Sequence, residues 1–254
     1  MDLEYFKQKY GYEEEGGFWY PRVTAICSII AKPGLDKWLA NQGSYNAMQE
    51  KRRKITDWGT LVDKTIKKIL KGESPEINPV IRPSIDAFLN WFKGHKIELF
   101  DTDRRVISKE HFYVGTLDVL NEIDGNFGIL DIKTSSGFWD EQFIQTAAYF
   151  QAYNENALEK AKTYWVFRVD QYQECINCGA KKREKGGESE VKEGNPNCDH
   201  KWTPFKGICE LKEVDSHQTY LEIFLTAKKL WELSNRHWLN QIENYPKKFN
   251  SAYN

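Results

Sequence analysis

Tyr113-Val114-Gly115-Thr116-Leu117-Asp118, then Asp124-Gly125-Asn126, then Ile129-Leu130-Asp131-Ile132-Lys133-Thr134 is the stretch that decides the fold. β-Branched and aromatic residues on both sides of an Asp-Gly pair specify a hairpin. Strands are expected over 112–123 and 127–133, and a third over 97–107 makes an antiparallel meander. Residues i and i+2 of a strand share a face, so Asp131 and Lys133 emerge side by side. The turn brings Asp118 next to them on the adjoining strand. Ile129, Leu130 and Ile132 are apolar, which makes the strand central and points its charges into a cleft. Two acids and a lysine on one sheet face are costly to bury without a purpose. Their chemistry suits phosphodiester hydrolysis, since carboxylates are hard oxygen ligands for Mg²⁺ or Mn²⁺. Lys133 would orient a water and offset charge developing in the transition state. The main-chain carbonyl of Ile132 is a further ligand candidate. The competing reading is a sheet surface with solvated charges, because Asp-x-Lys alone is common.

Outward from this stretch the period changes to that of helices. Upstream, Thr24 is a candidate N-cap for a short helix over Ala25 to Ala31, and a second helix is expected from Leu35 to Asn41. Residues 45–55 read as a helix with a basic end. After Asp57-Trp58-Gly59-Thr60 another helix runs to Gly72, with Lys64, Lys67, Lys68 and Lys71 on one face. Ser84 is expected to cap a helix before the meander. Downstream come a helix over Gln142 to Tyr153, a strand over Tyr164 to Val169, a strand over Gly207 to Val214 and an amphipathic helix over 216–245. This order predicts an α/β fold with a central mixed sheet flanked by helices and a cysteine-rich insertion. One domain over 1–254 is expected, divided into a helical part (1–95), a core (96–170), an insertion (174–202) and a closing strand and helix (203–254).

The insertion differs in kind. Gly179 to Asn197 is nearly all Lys, Glu, Gly, Ser and Asn, and is expected to be flexible unless clipped. Cys175-Ile176-Asn177-Cys178-Gly179 on one side and Cys198-Asp199-His200 on the other supply three thiolates and an imidazole, a closed tetrahedral set for Zn²⁺. Metal binding would supply the folding energy that the loop lacks. The bland alternative is four unligated side chains in a loop.

Composition bounds the partners. The chain carries a formal net charge of −1 over 254 residues, so any polyanion surface must come from local clusters. Candidates are Lys51, Arg52, Arg53 and Lys54, the lysine face of the next helix, and Lys181, Lys182 and Arg183; the default for each is a solvated face. Phe18, Trp19 and Tyr20 are candidates for stacking on bases or for core packing. The N-terminal stretch is acidic, and the chain has no apolar run long enough for a membrane span, so an intracellular setting without membrane contact is expected. Five cysteines in a reducing compartment more often bind metal than pair.

At these residues the sequence resembles the RecB-like exonuclease branch of the PD-(D/E)XK nucleases, close to phage and mitochondrial genome-maintenance exonucleases. The resemblance runs from about Tyr20 to Asp170. Tyr20-Pro21-Arg22-Val23-Thr24 resembles the Pro-x-Val-Thr segment, Gly115-Thr116-Leu117-Asp118 the G-x-x-D motif, and Asp131-Ile132-Lys133-Thr134 the D-x-K-T motif. Gln145-Thr146-Ala147-Ala148-Tyr149 resembles Q-x-x-x-Y, and Asp103 stands where the family usually has Glu. The resemblance implies a restriction-endonuclease-like core that cleaves DNA with Mg²⁺ or Mn²⁺ in replication, recombination or repair, in a phage-encoded protein acting in host cytoplasm. It implies metal binding by Asp118 and Asp131, catalysis by Lys133, and positioning or DNA contact by Gln145 and Tyr149. For Tyr149 a helix packed on the sheet is the equal alternative. The family's G-T-x-x-His reads Gly59-Thr60-Leu61-Val62-Asp63 here; Asp63 is either a metal ligand or a partner of Lys67 one turn on. An iron–sulfur cluster using Cys27 and three of Cys175, Cys178, Cys198 and Cys209, as in some relatives, is the rival to zinc, although Cys27 reads as core. Other readings of the whole are a structure-specific or nicking endonuclease, and a catalytically weakened DNA-binding module. Protein partners are not indicated.

Overall fold

The computed structural model describes residues 2–14, 16–31 and 44–248. Seven helices are described: α1 Leu3–Tyr10, α2 Val23–Cys27, α3 Tyr45–Leu70, α4 Arg82–Lys93, α5 Asp140–Asn156, α6 His217–Ser234 and α7 Arg236–Gln241. The strands are β1 Gly11–Glu13, β2 Trp19–Pro21, β3 Ile97–Ser108, β4 Tyr113–Ile123, β5 Asn126–Lys133, β6 Thr163–Glu174, β7 Lys181–Lys185, β8 Glu188–Lys192 and β9 Lys206–Glu213.

The meander forms as its turn chemistry dictates. Asp124 and Gly125 both take positive φ, 51° and 85°, the backbone of a type I′ turn. β3, β4 and β5 are antiparallel neighbours, and α5 carries the chain over to β6, which lies parallel to β5. β9 closes the other side of β6 in antiparallel register, giving a mixed sheet.

Helices cover both faces, because β5 and β6 are apolar on both sides. Ile129, Tyr113 and Leu117 pack with residues of α1, α2, α5 and α6. Leu130, Ile132, Val119 and Phe167 pack against Trp58, Val62 and Ile66 of α3 and Ile85 and Phe88 of α4. Fourteen buried residues on that second face, at about 1.5–3 kcal/mol for each large apolar side chain, press α3 onto the sheet.

Several expectations shift. The two helices expected on either side of Gly59 are one helix, α3, capped by Ser44, whose hydroxyl accepts from Ala47 N–H. Glycine is retained inside it because a Cβ at Gly59 would stand 2.7 Å from Thr134 Oγ1. α2 begins at Val23, with Thr24 inside the helix and Arg22 at the N-cap. α4 begins at Arg82 with Pro83 in its first turn; Ser84 is inside it, buried and bonded to Gln171 Oε1. The helix expected over 216–245 breaks at Asn235, whose side-chain amide donates to Trp231 O and competes with the helix ladder. The helix expected over Leu35 to Asn41 lies outside the described residues.

The insertion, expected to be flexible unless clipped, holds regular structure beside its cysteine–histidine cluster. Its middle is the hairpin β7–β8, turning on Gly186 and Gly187, both at positive φ (61° and 80°). The N-terminal segment forms α1 and the β1–β2 ladder and buries Phe6 and Trp19. No described helix is long and apolar enough to cross a membrane.

Candidate functional site

β4 and β5 bring Asp118, Asp131 and Lys133 together. Their ladder ends at Val119↔Leu130, and beyond it the Asp118 side chain replaces the strand as acceptor: Ile132 N–H donates to Asp118 Oδ2 at 3.0 Å. Asp131 is 1% exposed, with Oδ2 2.7 Å from Lys133 Nζ but out of line for a hydrogen bond. Burial pushes the Asp131 carboxyl up, and the Asp118 charge adds to this against the pull of Lys133. Burial acts against the Lys133 ammonium too, but Asp131 and Asp118 outweigh it and hold it above its ordinary value.

α3 completes the site. Lys67 Nζ stands 3.0 Å from Asp63 Oδ2, 2.6 Å from Asp103 Oδ1 and 3.2 Å from Asp118 Oδ1. Lys67 therefore does not lie on an open basic face with Lys64, Lys68 and Lys71, which are exposed; its side chain is 7% exposed among three carboxylates. The pairing expected of Asp63 with a lysine one turn on is present. Burial and the Asp118 charge push Asp63 up to about 6, despite Lys67. Asp63 Oδ1 is buried and has no hydrogen-bond partner among the described residues. Asp103 sits at φ 56°, a left-handed backbone that Asp tolerates better than most residues.

Four aspartates thus surround two lysines, leaving two negative charges in excess. The Asp63 and Asp131 carboxyls, held up from their usual range and each with an oxygen lacking a hydrogen-bond partner among the described residues, fit a hard divalent cation. No three of these aspartates bring oxygens within 4.8 Å of one another, and each is paired with Lys67 or Lys133. Among the described residues such convergence occurs at Cys175, Cys178, Cys198 and His200, and at Glu110 and His111 of the β3–β4 turn with Glu155 of α5.

The motif glycine of β4 has a packing reason. A Cβ at Gly115 would stand 2.3 Å from the Tyr149 ring. Tyr149 is 4% exposed, and its hydroxyl accepts from Gln145 Nε2 at 2.6 Å. Contact of Tyr149 with DNA is therefore corrected: its ring is spent on the sheet. Gln145 is half-buried one turn before it. Trp19 and Tyr20 are buried and are core, while Phe18 is exposed. Lys51 and Lys54 are half-buried and Arg52 and Arg53 exposed, on the part of α3 that leads to Asp63.

The cysteines close a second site. Cys175 Sγ to Cys198 Sγ is 3.8 Å and Cys178 Sγ to His200 Nδ1 is 3.5 Å. Tetrahedral Zn–S bonds of about 2.3 Å put sulfurs roughly 3.8 Å apart. Gly179 at φ 73° makes the turn, and Cys175 N–H donates to Ala180 O at 2.8 Å. Burial acts against the Cys175 thiolate, but His200 and the N–H groups of Cys178, Asn177 and Lys201 bring the thiol down to about 6. Burial and the adjacent sulfurs push Cys198 up to about 12. Cys27 is buried in the core and Cys209 lies on β9; neither belongs to this set.

The sequence reading missed the link between the two sites. Asp170, fully buried on β6, pairs with Arg168 (3.2 Å), with Arg183 of β7 (2.8 Å) and with Lys185 of β7 (3.0 Å). Arg183 is therefore buried and spent inside the protein, not free to grip a nucleic-acid backbone, and Lys181 is paired with Glu193. Lys185 also donates to Thr134 O, one residue past Lys133, and lies 5.0 Å over the Trp58 ring. The available signal was Arg168 and Asp170 at i and i+2, at the end of the apolar run Tyr164–Phe167.

No protein-family model matches the chain, and no curated protein matches it.

Proposed function

We propose that the chain is a Mg²⁺- or Mn²⁺-dependent deoxyribonuclease on a PD-(D/E)XK-type core, acting as an exonuclease in DNA replication, recombination or repair. The observation that carries this reading is the grouping of Asp118, Asp131 and Lys133 where the β4–β5 ladder ends, with Asp118 anchored on Ile132 N–H. Asp118 and Asp131 would hold the divalent ion, with Asp63 and the Ile132 carbonyl as further ligands. When bound, the ion polarises a phosphoryl oxygen and makes water a stronger nucleophile. Lys133 keeps its proton and so orients water and offsets charge on the phosphate. Gln145 positions the centre through α5. Arg52 and Arg53, with Lys51 and Lys54, begin about 14 Å along α3 from Asp63, a distance suited to tracking the DNA backbone. Cys175, Cys178, Cys198 and His200 would hold a structural Zn²⁺.

End-labelled linear DNA and covalently closed circles, incubated with Mg²⁺, Mn²⁺ or neither, test the reading against Asp131→Asn. Metal-dependent loss of linear DNA alone, abolished in the variant, supports the exonuclease. Cutting of circles moves it to a structure-specific or nicking endonuclease. Lys67, by occupying the space between Asp63, Asp103 and Asp118, favours a second reading, a catalytically weakened DNA-binding module. DNA binding with no cleavage would establish that instead.

A further inference from the structure

Lys67 is placed unlike any other basic residue of α3. Its ammonium touches carboxylates from three elements, Asp63 of α3, Asp103 of β3 and Asp118 of β4, at 3.0, 2.6 and 3.2 Å. The ammonium donates to Asp103 Oδ1 and Asp118 Oδ1, and Asp63 adds an ion pair. A helix-surface pair with Asp63 alone would need neither burial nor the two strand acids. Asp103 meets it from a left-handed backbone, at φ 56°. This is the environment of a bound cation, supplied by a side chain.

Asp118 is the acid that two divalent ions would have to share, since paired ions in phosphoryl-transfer centres stand about 3.5–4 Å apart. Its Oδ1 faces Lys67 and its Oδ2 accepts from Ile132 N–H. A second ion on the Oδ1 side would have to displace the lysine. Asp131 lies outside this arrangement, paired with Lys133.

We propose that Lys67 is a resident cation of the centre, filling the subsite between Asp63, Asp103 and Asp118 and limiting the protein to one divalent ion there. The proposal rests on the metal-dependent reading above and adds which residue sets the metal count. Lys67 also acts as a positioning residue, tying α3 to the strand that carries Asp118.

Manganese binding to the full-length, zinc-loaded chain tests this by equilibrium dialysis and electron paramagnetic resonance. Wild type, Lys67→Met, Lys67→Arg and Asp118→Asn are compared, with melting temperature read in parallel. One Mn²⁺ is expected in wild type and Lys67→Arg, two in Lys67→Met, and a larger Mn²⁺-induced rise in melting temperature in Lys67→Met than in wild type. One ion in both wild type and Lys67→Met, or two in wild type, overturns the proposal and leaves the nuclease reading standing. No ion in wild type but one in Lys67→Met keeps Lys67 as resident cation and removes the metal-dependent reading. No ion in either removes both. A Lys67→Met chain that folds only with Mn²⁺ counts for the subsite. One that Mn²⁺ cannot rescue, while Lys67→Arg folds, marks a purely structural ion pair and overturns it.

Discussion

The aspartate–lysine centre and the cysteine–histidine cluster are assembled in opposite ways. The first takes Asp63 and Lys67 from α3, Asp103 from β3, Asp118 from β4 and Asp131 and Lys133 from β5. The second lies within a single insertion, between Cys175 and His200, and its backbone turns are made by its own residues. The first holds hard oxygens and excess negative charge; the second holds soft sulfurs at the spacing of one tetrahedral ion. The difference is one of what each site costs the fold. Buried like charges strain the structure that carries them and are relieved by an ion or an internal ammonium. Crowded thiols shape a loop that has little core of its own.

If the two regions divide chemistry from architecture, substitutions should separate them. The largest effect is expected at Lys133. Lys133→Ala should lower metal-dependent DNA cleavage by about 10²–10³-fold, the scale of losing one preorganised charge stabiliser, with DNA binding retained. Folding should survive because Asp131 can take a proton once its partner is gone. Cleavage within tenfold of wild type would remove Lys133 from the chemistry.

Next is the buried network that joins the regions. Asp170→Ala leaves Arg168, Arg183 and Lys185 without their common anion, and breaking such buried pairs costs about 3–5 kcal/mol. Urea unfolding should show a loss of this size. A loss below about 1 kcal/mol would mean that the cations find water or other acids, as exposed pairs do.

If the cysteine–histidine cluster holds zinc, Cys178→Ser should abolish zinc binding and open the β7–β8 hairpin to proteases between Gly179 and Asn197. Because Lys185 bears on Thr134 O and Trp58, cleavage should fall by about 10–100-fold, the scale seen for outer-shell support of a metal site. Zinc loss without any change in cleavage would separate the regions completely.

The smallest effect is on pH dependence. Asp63 and Asp131 are both held above their unfolded value of about 4, so their contribution to stability is full below that pH and is lost as pH rises through their folded values, about 6 for Asp63. Without divalent ions the melting temperature should fall between about pH 5 and pH 8, and Mn²⁺ should remove most of the fall. A flat profile would mean the acids are not strained.

Much of this was legible in the chain. The Asp124-Gly125 turn, the meander around it and the β6 and β9 strands follow from local pattern, since turn type and side-chain alternation act over a few residues. The cysteine set was legible for the same reason: a Cys-x-x-Cys-Gly turn fixes two ligands locally. The Gly186-Gly187 hairpin was equally local, but charged composition masked it. Asp118, Asp131 and Lys133 were legible because the hairpin register couples them.

What the amino-acid order determined by itself, then, is which groups are available and how near neighbours pair: i and i+2 on a strand, i and i+4 on a helix, two ligands on one turn. Tertiary structure alone decided that Lys67, equivalent by helical period to Lys64, Lys68 and Lys71, turns inward among three acids. It decided likewise that Tyr149 faces Gly115 and that Arg183 and Lys185 of the insertion close on Asp170 of β6. The physical reason is that periodicity defines faces of an element but not what covers them. The covering depends on the angle at which α3 meets the sheet, set by apolar packing of Trp58, Val62 and Ile66, which a sequence period does not specify.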